Sequence, residues 1–189
     1  SGITGVSRLW TRQGTPINGC DHILHQCKLM EQAAGQPMFI EGELLVNGTL
    51  EATKRWVETD WRFGGESGVL HAFDAMPFAA WKDGGTDQPF YERKAFLQQI
   101  ADRAVNDPDL NWTWRPGSRG RDEGATPVVL IEDEWCASPR EVMDLARRVW
   151  AEGGEGLVLK DAMAPYRRNR NDAWMKVKAD NQHKWRMAA

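Results

Sequence analysis

The chain has 189 residues, about two-fifths of them apolar and about a quarter charged, the ordinary globular mixture and enough length to bury a core as one large domain or one and a fraction. A net charge of −3 argues against binding nucleic acid through bulk positive charge, although a local basic face is compatible with it. Cys20, Cys27 and Cys136 are an odd set without metal-ligand spacing, and no signal peptide or membrane span is legible, so a reducing cytoplasm is the expected compartment.

Ser1-Gly2 reads as a scar of tag removal or as a native start after loss of the initiator methionine. Val6 to Thr11 mixes β-branched, aromatic and polar residues and leads into Arg12-Gln13-Gly14, so a strand is expected with Arg12 in the turn at its end. Taken alone, Arg12 is a solvated charge or an anion ligand. Asp21 to Gly35 predicts a helix with Asp21 as cap, Ile23, Leu24, Cys27 and Met30 as its apolar set, and Gly35 as its stop. His22 and His25 share a face but have no third ligand nearby, and read as surface or packing residues.

Pro37 opens PMFIEGELLVNG, in which Glu41-Gly42-Glu43 interrupts two apolar runs. Two carboxylates inside a buried strand are costly unless something cationic meets them, which favours a metal or a ligand hydroxyl. The alternative is a hairpin bend or bulge at Gly42 with solvated glutamates. Lys54 to Gly68 is a helix or a surface excursion, and Val69 to Met76 is a strand carrying the Phe73-Asp74 pair. Phe73 is a core residue or a ring that stacks on a base, with Asp74 orienting its neighbours.

Lys82 to Pro89 is turn-rich, and Tyr91 to Val105 has the spacing of an amphipathic helix. Asn106 to Pro127 is a long polar insertion whose Arg115, Arg119 and Arg121 either touch phosphates or lie on a plain surface loop. Val128 to Ile131 is expected to be a short buried strand. Ser138, Pro139 and Glu141 then spell a helix start, and Val142, Leu145, Ala146, Val149 and Trp150 give that helix one apolar stripe ended by Gly153-Gly154.

EGGEGLVLKD follows, with Leu157, Val158 and Leu159 as a buried strand that carries Glu155 and Lys160 to its two rims. After a basic, turn-like segment with Arg167, Arg168 and Arg170, alternation in WMKVK places Lys176 and Lys178 on one strand face. Two lysines on one face repel each other unless anions lie near, which suggests a polyphosphate ligand. The ten tryptophans are expected to be mostly core or interface anchors. Strands separated by helices and excursions predict an α+β architecture of mainly antiparallel sheets with packed helices.

Taken together, TRQG, FIEGEL, LHAFDAM, EGLVLKD and WMKVK resemble the nucleotidyltransferase (adenylation) domain of ATP-dependent DNA ligases, especially the compact viral type, over nearly the whole chain. RNA ligases and mRNA capping enzymes belong to the same wider superfamily. The resemblance implies an α+β, ATP-grasp-like fold of antiparallel sheets around a nucleotide groove, with ATP and Mg2+ as cofactors and nicked double-stranded DNA as partner. For a viral protein the compartment would be the host cytoplasm. The resemblance further implies that Arg12 contacts the nucleotide or the nicked-strand phosphate. Glu43 would bind ribose or help hold metal, Phe73 would stack on adenine, Glu155 would help place the divalent ion, and Lys160, Lys176 and Lys178 would hold phosphates. Phosphoryl-type transfer asks for these groups, cations on non-bridging oxygens above all.

Two departures matter. The family has Asp-Gly-Glu where Glu41-Gly42-Glu43 stands, and its nucleophile lysine in Lys-x-Asp-Gly has no counterpart, since Lys82-Asp83-Gly84 lacks the intervening residue and follows Phe73. Residues 1–189 are therefore expected to be one truncated adenylation domain without its nucleophile and without the OB-fold domain. A separate chain or segment would supply the lysine motif. The competing expectation is a catalytically dead relative that binds nucleotide, DNA or protein, and an RNA ligase or capping-type relative is the runner-up among enzymes.

Overall fold

The computed structural model describes residues 7–59, 64–106, 127–169 and 172–179. The chain opens with the short strands β1 (Leu9–Trp10) and β2 (Pro16–Ile17), then helix α1 (Asp21–Ala34), strand β3 (Met38–Val46), helix α2 (Leu50–Glu58) and strand β4 (Gly68–Pro77). Helix α3 (Phe78–Lys82), strand β5 (Gly85–Thr86), helix α4 (Phe90–Asn106) and strand β6 (Val128–Leu130) follow. The last elements are helix α5 (Pro139–Ala151) and strands β7 (Gly156–Lys160), β8 (Tyr166–Arg167) and β9 (Trp174–Lys178). Contacts divide the chain into two compact units, Ser1–Gly84 with Glu92–Ile131, and Gly85–Tyr91 with Glu132–Ala189.

The first unit is organised by a three-stranded sheet in the order β3-β4-β6, antiparallel between β3 and β4 and parallel between β4 and β6. One face of the sheet, with Met38, Val46, Leu70, Ala72, Ala75 and Val128, packs against Ile23, Met30 and Ala33 of α1 and Leu97, Ile100 and Ala104 of α4. Helix α1 ends where expected, on Gly35 in the left-handed conformation, but Asp21 is its first helical residue rather than its cap, which is Cys20. Asp21 still places its charge at the favourable positive end of the helix. Helix α2 starts before Lys54 because the Thr49 hydroxyl accepts the Ala52 N–H at 3.1 Å.

The second unit has two-stranded pairings, β7 with β9 and β5 with β8, and helix α5. The helix start is the one the sequence spells. The Ser138 hydroxyl accepts the Glu141 N–H, and Glu141 reaches back to accept the Ala137 N–H at 2.9 Å. Its stripe, through Val142 and Ala146, buries Val177 of β9 and partly covers Leu157 and Leu159 of β7.

Two expectations need correction. Leu157, Val158 and Leu159 are not a buried run: only the outer two turn toward α5, and Val158 is 50% exposed because a two-stranded ribbon has one open face. The Glu41-Gly42-Glu43 stretch is neither a hairpin bend nor a fully buried strand; it lies within the continuous β3, with Glu41 half-buried and Glu43 exposed. Among the described tryptophans Trp56 is buried in the core, as expected of an anchor, while Trp10 and Trp135 are largely exposed. Val6, most of the polar insertion with Arg115, Arg119 and Arg121, and Arg170 lie outside the described residues.

Candidate functional site

In the first unit, Arg12 is exposed in the turn between β1 and β2, which the Gly14 N–H closes onto the Thr11 carbonyl at 2.9 Å. Glu43 lies in β3 directly opposite His71 of β4, on the face that does not pack against α1 and α4. Between β3 and β4 the register steps from Gly42–Ala72 to Glu41–Asp74, so Phe73 and Asp74 together stand against Glu41. This is a β-bulge, a device that re-aims side chains and strengthens twist. Alternation from the core-facing Ala72 sends the half-buried Phe73 to the same face as Glu43.

Gly42 is what lets the strands close at this point. A Cβ there would lie 2.7 Å from the His71 carbonyl oxygen and 2.8 Å from the Leu70 Cδ1 atom, too close for any other residue. The glycine of FIEGEL therefore serves the close approach of two backbones. Asp74, fully buried, is held by a two-pronged ion pair from Arg93 of α4: Nε donates to Oδ1 and Nη2 to Oδ2, each at 2.8 Å. A paired geometry of this kind satisfies both charges where an isolated one would be prohibitive. The sequence hinted at Asp74 as an orienting acid beside Phe73, but nothing local pointed to Arg93, 19 residues away.

In the second unit, the antiparallel register of β7 and β9 sets Lys160 opposite Trp174, Val158 opposite Lys176 and Gly156 opposite Lys178. Cross-strand partners share a face, so all three lysines line the open side of the ribbon, opposite Leu157, Leu159 and Val177. Sequence alternation finds Lys176 and Lys178; Lys160 joins them through register. Diagonal neighbours on such a face stand roughly 7 Å apart at Cβ. Two ammonium groups at that distance repel by roughly 0.6 to 2.4 kcal/mol between water and a surface-like dielectric.

Each lysine meets this repulsion differently. Lys178 donates from Nζ to the Glu155 carboxylate at 3.4 Å. The Lys160 ammonium lies 4.5 Å from the ring centre of Phe90 and 4.2 Å from that of Trp174. Lys176 stands exposed. The motif glycine has a backbone reason here too: Gly156 adopts φ +147°, and a Cβ on it would fall 2.1 Å from the Val177 carbonyl oxygen.

A metal fits these donors only in one manner. Among the described residues no group of three or more His, Cys, Asp or Glu side chains could hold an ion. Glu43 and Glu155 are single exposed carboxylates, the donor type that Mg2+ combines with waters and substrate phosphates rather than a closed protein cage. No helix among the described residues is long and apolar enough to cross a membrane.

Comparison with known proteins adds an independent finding. A family model described as "ATP dependent DNA ligase domain" matches residues 4–178. Among solved structures, the chain is similar to "Pmar-Lig_PreS3" at 18% identity and a TM-score of 0.67, covering 90% of this chain and 37% of that one. It is also similar, at 19% identity and a TM-score of 0.54, to a structure from "DNA binding with a minimal scaffold: Structure-function analysis of Lig E DNA ligases", covering 91% of this chain and 55% of that one. The chain thus spans from about a third to just over half of the length of these structures. At such identities the likeness carries the fold, and it agrees with the α+β architecture expected from the sequence. No curated protein matches the sequence.

Proposed function

Because the chain belongs to the family of ATP-dependent DNA ligase domains, we propose that it is the nucleotide-binding portion of an enzyme that seals nicks in duplex DNA, as in repair and replication. In such an enzyme a lysine amine attacks the α-phosphorus of ATP and releases pyrophosphate. The AMP then passes to the 5′-phosphate of the nick, and the 3′-hydroxyl displaces it. The observation that carries this reading is the open face of the β7–β9 ribbon, where Lys160, Lys176 and Lys178 stand together. Three ammonium groups are a poor surface for a strand pair by itself and a good one for a polyphosphate.

On this reading Phe73 stacks on adenine and Glu43 receives a ribose hydroxyl or a water of the metal. Glu155 would help to hold a hydrated divalent ion, most simply Mg2+, which would supply charge neutralisation on the phosphates. Arg12, exposed at its turn, reaches the nucleotide or the phosphate of the nicked strand. Residues 1–189 contain no Lys-x-Asp-Gly sequence. The chain by itself is therefore expected to form no covalent AMP adduct, which mass spectrometry after incubation with ATP and Mg2+ checks directly.

The decisive binding test is calorimetry with ATP on Lys176→Ala and Lys178→Ala. Each variant is expected to lose about 1.5–3 kcal/mol of affinity, the size of one hydrogen bond to a charged group. Unchanged affinity in both would remove the phosphate role. A second reading, a catalytically inactive ligase-like binder, is favoured by the missing Lys-x-Asp-Gly sequence. Nick sealing restored by an added segment carrying that motif would decide against it.

A further inference from the structure

The side chain of Lys160 sits in a corner made by two aromatic rings. Phe90 and Trp174 meet edge to face, with centres 6.1 Å apart and planes at 74°, and the ammonium lies within 4.5 Å of both centres. Ring faces carry the negative part of the aromatic quadrupole, so a cation between them is attracted by both. Nothing about a β-strand demands this: the four-carbon stem of an exposed lysine otherwise samples many rotamers.

Both ring carriers are pinned beside Lys160 by backbone contacts. Trp174 is its register partner across the ribbon, and the next residue, Asp161, donates its N–H to the Ala173 carbonyl at 2.9 Å. Phe90 is buried at the first turn of α4, and its neighbour Tyr91 donates its N–H to the Ala162 carbonyl at 3.1 Å. The chain next to each ring, at Ala173 and at Tyr91, is thus fixed to the segment that follows Lys160. An aromatic corner anchored at this many points is a preorganised holder for one cation.

We infer that Phe90 and Trp174 are positioning residues that fix the Lys160 ammonium on the lysine face of the ribbon, so that a nucleotide polyphosphate meets a cation already in place. This rests on the phosphate reading of Lys160 given above. The rings do for Lys160 what Glu155 does for Lys178, offsetting its charge. Lys160 is the lysine of the three whose orientation before binding costs the ligand least.

Proton and carbon NMR of the full chain with labelled lysines reads this directly, because ring currents move protons above an aromatic face upfield. One lysine ε-methylene signal is expected upfield of the others, identified by its disappearance in Lys160→Met. Phe90→Leu should return it to the ordinary position, and Phe90→Tyr should keep most of the shift. In parallel, Phe90→Leu is expected to weaken ATP binding about 2- to 30-fold, with Phe90→Tyr recovering most of the loss. In a Lys160→Met background Phe90→Leu should have no further effect on ATP. Should Phe90→Leu not fold, judged by thermal melting, Trp174→Leu takes its place, with Trp174→Phe as the conservative change.

No upfield lysine signal, or an equal loss of ATP affinity with and without Lys160, overturns the positioning role. A shifted signal together with unchanged ATP affinity in Lys160→Met also overturns it, but by a different route: the aromatic corner then stands and the phosphate role of Lys160 fails.

Discussion

The two units hold their candidate residues in place by different physics. In the first, fifteen buried residues among those described form one core that spans α1, α4 and the sheet, and Asp74 beside Phe73 is locked by an ion pair with no exposure at all. In the second, among the described residues the cluster packed under α5 is Val142, Ala146 and Val177, and the lysines stand on the open face of a two-stranded ribbon. A ribbon of two strands is marginal without packing on one side. The half-buried Phe73 thus sits beside a locked, fully buried Asp74, whereas Lys178 is held by its contact with Glu155 and Lys160 by Phe90 and Trp174.

This contrast predicts a graded set of outcomes. The largest is Arg93→Met, which leaves the Asp74 carboxylate buried without its partner and should cost about 3–5 kcal/mol. The loss should appear as faster amide exchange in β4 and α4, and the double change Asp74→Leu with Arg93→Met should recover much of it. Equal loss of protection in β7 and β9 would break the distinction between the units. Next comes Gly156→Ala, which forces a side chain into φ +147° and against the Val177 carbonyl. A cost of about 1–3 kcal/mol or more is expected, read as exchange in β7 and β9. Ser138→Ala, which removes the α5 cap, should cost about 1 kcal/mol by thermal melting.

The smallest effect is that of Cys27. Burial, and secondarily the nearby Glu31 carboxylate, push its thiol up to about 12 from an ordinary 9.0. The folded chain keeps a proton that the unfolded chain releases above pH 9, so this thiol's contribution is complete below pH 9 and declines as the pH rises toward 12. A few tenths of a kcal/mol should be lost at pH 9. Alkylation at pH 8 should spare Cys27 in the folded chain and modify it after denaturation, sharpening the view of the first unit as the better-buried one.

What the sequence made legible was local. Ser138, Pro139 and Glu141 spell the start of α5, Gly35 the end of α1, and WMKVK the alternation of β9, because capping groups and strand pleat act within a few residues. What stayed hidden was non-local. Lys160 joins Lys176 and Lys178 only once the β7–β9 register is set, and register depends on pairing across the ribbon. The bulge that re-aims Phe73 needs β3 beside β4, and Arg93 reaches Asp74 only after α4 folds back onto the sheet. The motif words were readable one at a time, while the glycines within them, Gly42 and Gly156, make sense only against the carbonyl oxygens they face.

The central proposal is a division of labour, in which Phe73 would recognise the base and the ribbon lysines phosphate. Calorimetry with ATP and with adenosine on the native chain, Phe73→Ala and Lys176→Ala tests it most directly. The account predicts that Phe73→Ala weakens both ligands, while Lys176→Ala weakens ATP and leaves adenosine unchanged. Equal weakening of adenosine and ATP by Lys176→Ala, or no effect of Phe73→Ala on either ligand, would contradict it.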